Sequence, residues 1–182
     1  MKDFIKEIPR FTTVENMSFT LEDIKGCNLP FVRNIYNVHG YNFEYHNIQN
    51  HITFKRRIGD LETVIQQELN KYFNELDVST FKQDYLGTSV LYLKGGRSIP
   101  LHTDDQYDNG IFRSVGILLY MTTHETGGEL CFPFQKRIIK PEAGKLLIFP
   151  SLYTHPHFVT PTNGEDRYAL RFNYGMQNEQ VH

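Results

Sequence analysis

Apolar residues recur at Leu61, Val64, Ile65, Leu69, Tyr72, Phe73 and Leu76. Steps of three and four put them on one stripe of a helix. The pattern predicts a helix over about 61–76, with Asp60 as its N-cap and the stripe buttressing a sheet. Downstream the period shortens. Runs of β-branched and aromatic residues, broken by Gly, Pro, Asn and Asp, fall at roughly 85–94, 98–104, 112–122, 129–134, 137–140, 145–150, 155–160 and 166–174 and read as strands. LEDIKGC apart, there is no second strong helical stretch. FTTVENMSFT and LPFVRNIYNVHG mix strand formers with Asn, Gly and Pro, and read as short strands and turns. The expected architecture is mainly β with flanking helices (α+β). Two antiparallel sheets enclose a pocket, and the strand count suits a jelly roll. Residues 1–182 are expected to form one domain, with 1–80 as a supporting N-terminal segment and 81–178 as the core.

Composition narrows the class. A chain of 182 residues, 40% hydrophobic and 22% charged, can bury a sizeable core and reads as soluble and globular. A net charge of −2 without a basic block disfavours binding to a nucleic-acid backbone. MKDFIKEIPR lacks a long apolar run, so no membrane association is expected. Cys27 and Cys131 lie far apart in sequence. They do not make a disulfide framework, and a reducing cytoplasm is the expected compartment. His39, His46 and His51 lack an acidic partner at ligand spacing. They read as surface histidines in a loop or edge strand in preference to a second metal site.

The candidate chemistry lies between Tyr92 and Arg171. LYLKGGRSIPLHTDD places His102 and Asp104 two apart, on one face of a strand. THPHFVTPTNGEDRYALRF adds His157 and, ten positions later, Arg167. Two histidines and a carboxylate with open positions are the donor set of non-haem iron(II) oxygenases, though carboxylate and imidazole also suit other divalent metals. His155 competes with His157 for the third place. Arg167 offers the two parallel donors that a carboxylate needs. Arg171 is four positions later, on the same face, with Ala169 between. It reads equally as a pocket residue and as a strand-end charge. Tyr92 and Tyr120 read as pocket tyrosines, with core packing almost as good a reading. Asp105 and Asp108, in DDQYDNG, read as a solvated loop. Gly95-Gly96 and Gly127-Gly128 read as turns, since no Gly-Lys-Ser follows. There is no nucleophile elbow and no Cys-x-x-Cys pair.

In order, the chain shows Tyr92, Gly95-Gly96, Pro100, His102-x-Asp104, Tyr120, Gly127-Gly128-Glu129, Phe132-Pro133, KPEAGKLLIF, HFVTP and RYAL. This succession resembles the iron(II)- and 2-oxoglutarate-dependent dioxygenases, in particular the prolyl 4-hydroxylase-like branch. The resemblance covers the C-terminal half, and one extra residue stands between Pro100 and His102. It implies a double-stranded β-helix (a cupin-like jelly roll). It implies His102, Asp104 and His157 as ligands of Fe(II), with His157 favoured over His155 because Val159 and Pro161 follow it in the family's pattern. It implies Arg167 as anchor of the far carboxylate of 2-oxoglutarate, with Tyr92 and Tyr120 helping. Arg171 is left to the near carboxylate or the substrate. The implied activity is a hydroxylase of a peptidyl, prolyl-like, or small-molecule substrate, using O2 and releasing succinate, with ascorbate as a supporting reductant. The alternatives are a non-catalytic metal-binding jelly-roll module and a cupin-type enzyme using another divalent metal.

Overall fold

The structure, a computed structural model, describes residues 4–26, 32–33, 43–47, 52–78, 84–108 and 111–177. Two helices, α1 (Val14–Gly26) and α2 (Ile52–Glu75), accompany twelve strands among these residues. The strands are β1 (Lys6–Ile8), β2 (Val32–Arg33), β3 (Phe43–Asn47), β4 (Asp84–Leu93), β5 (Ile99–His102), β6 (Tyr107–Asp108), β7 (Ile111–Tyr120), β8 (Leu130–Phe132), β9 (Arg137–Ile139), β10 (Leu146–Pro150), β11 (His157–Val159) and β12 (Arg167–Gln177). The larger sheet runs β1-β10-β7-β12-β4-β3-β2, with β6 on β7; the smaller runs β5-β11-β8-β9. Every pairing is antiparallel. This is the arrangement of a double-stranded β-helix, two facing sheets rather than a closed barrel.

Alternation along the central strands builds two cores. Val90, Ile117, Leu119, Leu146, Ile148, Leu170 and Phe172 pack outward against Met17 and Ile24 of α1 and Ile65, Leu69 and Tyr72 of α2. Their neighbours Leu91, Leu93, Leu118, Tyr120, Leu147, Phe149 and Ala169 face inward and meet Leu130, Phe132, Ile139 and Val159 of the smaller sheet. The pocket opens from this inner layer.

Four readings of the sequence need correction. FTTVENMSFT is not strand and turn: most of it lies in α1. Thr13 caps that helix by accepting a hydrogen bond from the Asn16 amide at 3.1 Å, and Met17, Thr20 and Ile24 bury one face. Asp60 is not an N-cap, because α2 begins at Ile52 and passes through Gly59 and Asp60. Its end agrees with the expectation: Asp77 takes a left-handed φ of 60°, and the Val78 amide reaches back to the Phe73 carbonyl at 3.0 Å. Val64 is 44% exposed and stands outside the buried stripe. His46 lies on β3, which is paired on both sides, by β2 and β4, so it is neither in a loop nor on an edge strand. His39 and His51 lie outside the described residues. Among the described residues no helix is long and apolar enough to cross a membrane.

Candidate metal and co-substrate site

β5 and β11 lie side by side in the smaller sheet, with His102 directly opposite His157. The ladder is irregular here: Val159 pairs with Ile99, so two steps on β11 span three on β5. That bulge takes up one residue. In a regular strand Ile99 and His102, an odd number apart, would face opposite ways. With the bulge both line the pocket, and Leu101, the extra residue between Pro100 and His102, turns outward at 57% exposure.

β5 ends at His102, and Asp104 sits just beyond it rather than on the strand. Its Oδ1 is 3.6 Å from His102 Nε2 and its Oδ2 is 3.6 Å from His157 Nε2. One ligand atom from each residue falls within 4.8 Å of the others. The tautomers follow from the backbone. His102 Nδ1 donates to the Pro100 carbonyl at 2.8 Å and His157 Nδ1 to the His155 carbonyl at 3.0 Å. A carbonyl can only accept, so each Nδ1 carries a proton, and each ring in its neutral form presents an Nε2 lone pair. Phe132 and Phe149 wall His157, with ring centroids at 5.2 and 5.1 Å. Burial pushes the His157 imidazole below its ordinary range, against the upward pull of Asp104. Burial raises Asp104, but the His157, Arg171, His102 and Arg113 charges together outweigh it and hold the carboxyl low. Two lone pairs converging on a carboxylate are unfavourable without a cation between them. The donor set therefore fits a divalent metal, as the carboxylate–imidazole combination does in iron(II) oxygenases.

His155 is not in this group. It lies in the turn before β11, its Nδ1 2.9 Å from the Thr154 hydroxyl and its ring against Phe4 and Phe132. Asp105 is exposed, while Asp108 lies on β6 rather than in a loop.

Arg167 and Arg171 flank Ala169 on the inner face of β12 and both line the pocket. Arg167 is 1% exposed. Its Nε and Nη2 have no hydrogen-bond partner, and it forms no ion pair among the described residues. Its guanidinium lies 5.1 Å from the Tyr120 ring centre. Burial pushes the Tyr120 hydroxyl above its ordinary value, with the Arg167 charge pulling it back. An uncompensated buried cation is costly, so these residues fit the carboxylate of a bound dianion. The structure does not bring Tyr92 here. Val90 and Tyr92 face the outer core while Leu91 and Leu93 face the inner one, where Leu91 lines the pocket. Tyr92 stacks on Tyr168 at 4.9 Å and donates to Asp166 Oδ2 at 3.1 Å. Leu91, Leu118, Leu130 and Val159 complete the lining; strand alternation held the signal for them, and the sequence reading did not use it. Arg113, whose charge reaches Asp104, was also missed.

Residues 85–175 match the 2OG-Fe(II) oxygenase superfamily, and the chain belongs to it. It is thus an oxygenase dependent on iron(II) and 2-oxoglutarate. No curated protein matches the sequence. Among solved structures, the viral collagen prolyl hydroxylase of Paramecium Bursaria Chlorella virus-1, solved as a 2OG complex, is 19% identical with a TM-score of 0.70, over 96% of this chain and 97% of that one. A Trichoplax adhaerens prolyl hydroxylase, in complex with a hypoxia inducible factor oxygen degradation domain peptide fragment, is 20% identical with a TM-score of 0.77, over 96% and 84%. HygX from Streptomyces hygroscopicus, solved with nickel, 2-oxoglutarate and hygromycin B, is 13% identical with a TM-score of 0.71, over 96% and 83%. At such identities the likeness is one of fold.

Proposed function

We propose that His102, Asp104 and His157 hold the iron(II), that Arg167 beside Tyr120 anchors the far carboxylate of 2-oxoglutarate, and that the chain hydroxylates a small molecule or an exposed peptide segment. The observation that carries this reading is the Arg167 guanidinium, buried between the sheets without a counter-charge among the described residues. When bound, the iron would activate O2, one atom of which goes into 2-oxoglutarate as it leaves as succinate and carbon dioxide and the other into the substrate. The chain's own residues orient and exclude. Pro100 and His155 carbonyls keep the two Nε2 atoms aimed at one point, and the Phe132 and Phe149 rings keep water from the far side of His157. The solved structures named above include one with a peptide fragment and one with hygromycin B, which supports either size of substrate. To the same proposal belong 81–178 as the catalytic core on a 1–80 support, ascorbate as supporting reductant, and a reducing cytoplasm. The last is supported by Cys131, a free buried thiol.

Purified protein given Fe(II), ascorbate and oxygen should convert 2-oxoglutarate to succinate slowly without added substrate. His102→Ala, Asp104→Ala and His157→Ala should each abolish that turnover and leave a folded protein. Full turnover in His157→Ala, with loss in His155→Ala, would move the third ligand to His155.

A further inference from the structure

The inner face of β12 carries two cations, and the reading above uses one. The Arg171 side chain is 13% exposed, and its closest charged partner is Asp104, with Nη1 3.9 Å from Oδ1. That is too long for a hydrogen bond, and the Arg171 Nε has no partner. Asp104 is not free for Arg171 alone: its two oxygens are turned toward His102 and His157 Nε2, where a metal would sit, and the positive field of Arg113 reaches it as well. With the site filled, a divalent metal, Arg167 and Arg171 together outweigh a dianionic co-substrate and Asp104 by one positive charge, and the field of Arg113 adds to that excess. Arg171 is left as one positive charge beside Leu91, Leu118 and Leu130. A guanidinium in apolar surroundings needs an anion with two acceptor oxygens.

We propose that Arg171 receives a carboxylate of the primary substrate, which makes that substrate a compact carboxylic acid held beside the metal donors. The inference rests on the oxygenase reading of the site. A carboxylate's two oxygens match the paired donors of one guanidinium, and Leu91, Leu118 and Leu130 beside it offer no donor for the third oxygen of a phosphate. The near carboxylate of 2-oxoglutarate is the rival occupant. Against it, four strand residues at about 3.3 Å each set the Arg171 and Arg167 backbones roughly 13 Å apart, and the dicarboxylate is already committed at Arg167.

The test loads the whole protein with cobalt(II) and 2-oxoglutarate without oxygen, then titrates isotope-labelled formate, a carboxylate small enough for any such subsite. Paramagnetic relaxation of the formate carbon reports binding near the metal. Wild type should show saturable relaxation with 2-oxoglutarate bound. Arg171→Gln should weaken formate binding at least about tenfold, ~1.4 kcal/mol, and Arg171→Lys should recover part of it. Cobalt affinity should be retained in both variants, and 2-oxoglutarate affinity should stay within roughly tenfold. The proposal falls if wild type gives no relaxation, if 2-oxoglutarate displaces the formate, or if Arg171→Gln changes nothing. It also falls if cobalt affinity drops in step with formate, since Arg171 then only positions Asp104. Failure of 2-oxoglutarate to bind the metal-loaded wild type removes the oxygenase site itself; failure of formate alone removes only this inference.

Discussion

Two histidines in this chain owe their chemistry to backbone oxygens. Pro100 and His155 carbonyls fix the protonated nitrogen of His102 and His157 and leave the other free to ligate. His157 also sets a pH dependence. Burial lowers its folded pKa, so the unfolded chain binds this proton more readily than the folded one. The stability it contributes is complete above the ordinary histidine value of about 6.5 and is lost as pH falls toward the depressed value. Melting of the metal-free protein should therefore shift to lower temperature as pH falls from about 7 to 5, and less steeply in His157→Gln; equal slopes in the two proteins would contradict it. Much of the residue scale was legible. His102, Asp104, His157 and Arg167, picked out by residue type and spacing, line one pocket. Tyr92 was misplaced because Val90, Leu91, Tyr92 and Leu93 are all apolar or aromatic. A strand buried on both faces gives no alternation from which to read its inner side.

At the scale of the element, a second consequence of close packing bears on the site. Gly116 of β7 lies against the Phe149 ring, and a Cβ there would stand 2.6 Å from the ring tip. Phe149 is fully buried and packs on His157. Gly116→Ala should therefore cost about 1–3 kcal/mol through overpacking and weaken metal binding by displacing His157. Denaturant unfolding and a metal titration check the two effects, and metal affinity unchanged alongside the lost stability would show that Phe149 yields without moving the imidazole. The strands from β4 onward, β6 excepted, were readable because turn residues punctuate them. The turn at Gly95-Gly96 is fixed by a close approach as well: a side chain at Gly95 would collide with the Gly164 carbonyl. α1 was missed for a physical reason. Its buried face is Met17, Thr20 and Ile24, and Thr20, whose hydroxyl bonds back to the Asn16 carbonyl at 2.7 Å, does not register as apolar. The start of α2 was missed because Gly59 and Asp60 look like a boundary, yet the helix runs through both.

For the molecule as a whole, the larger sheet separates the helices from the pocket. Leu69 of α2 is fully buried in the outer core, so Leu69→Ala should cost about 2–5 kcal/mol. Iron and 2-oxoglutarate affinity should survive in whatever fraction remains folded; loss of either would mean that the outer core shapes the inner one. The two-sheet plan was legible from the number and spacing of strands. The bulge in β5 was not, because the extra residue beside Pro100 shows its effect only once β5 is paired with β11. The central claim is that the sheets hold one unpaired cation for one carboxylate of 2-oxoglutarate. Its most direct test is anaerobic titration of 2-oxoglutarate into Fe(II)-loaded wild type and Arg167→Leu. Breaking such a buried pair costs roughly 3–5 kcal/mol. Co-substrate binding should thus weaken by about two to three orders of magnitude, while iron binding, in which Arg167 has no part, is retained. Arg167→Leu binding 2-oxoglutarate as tightly as wild type would contradict the account.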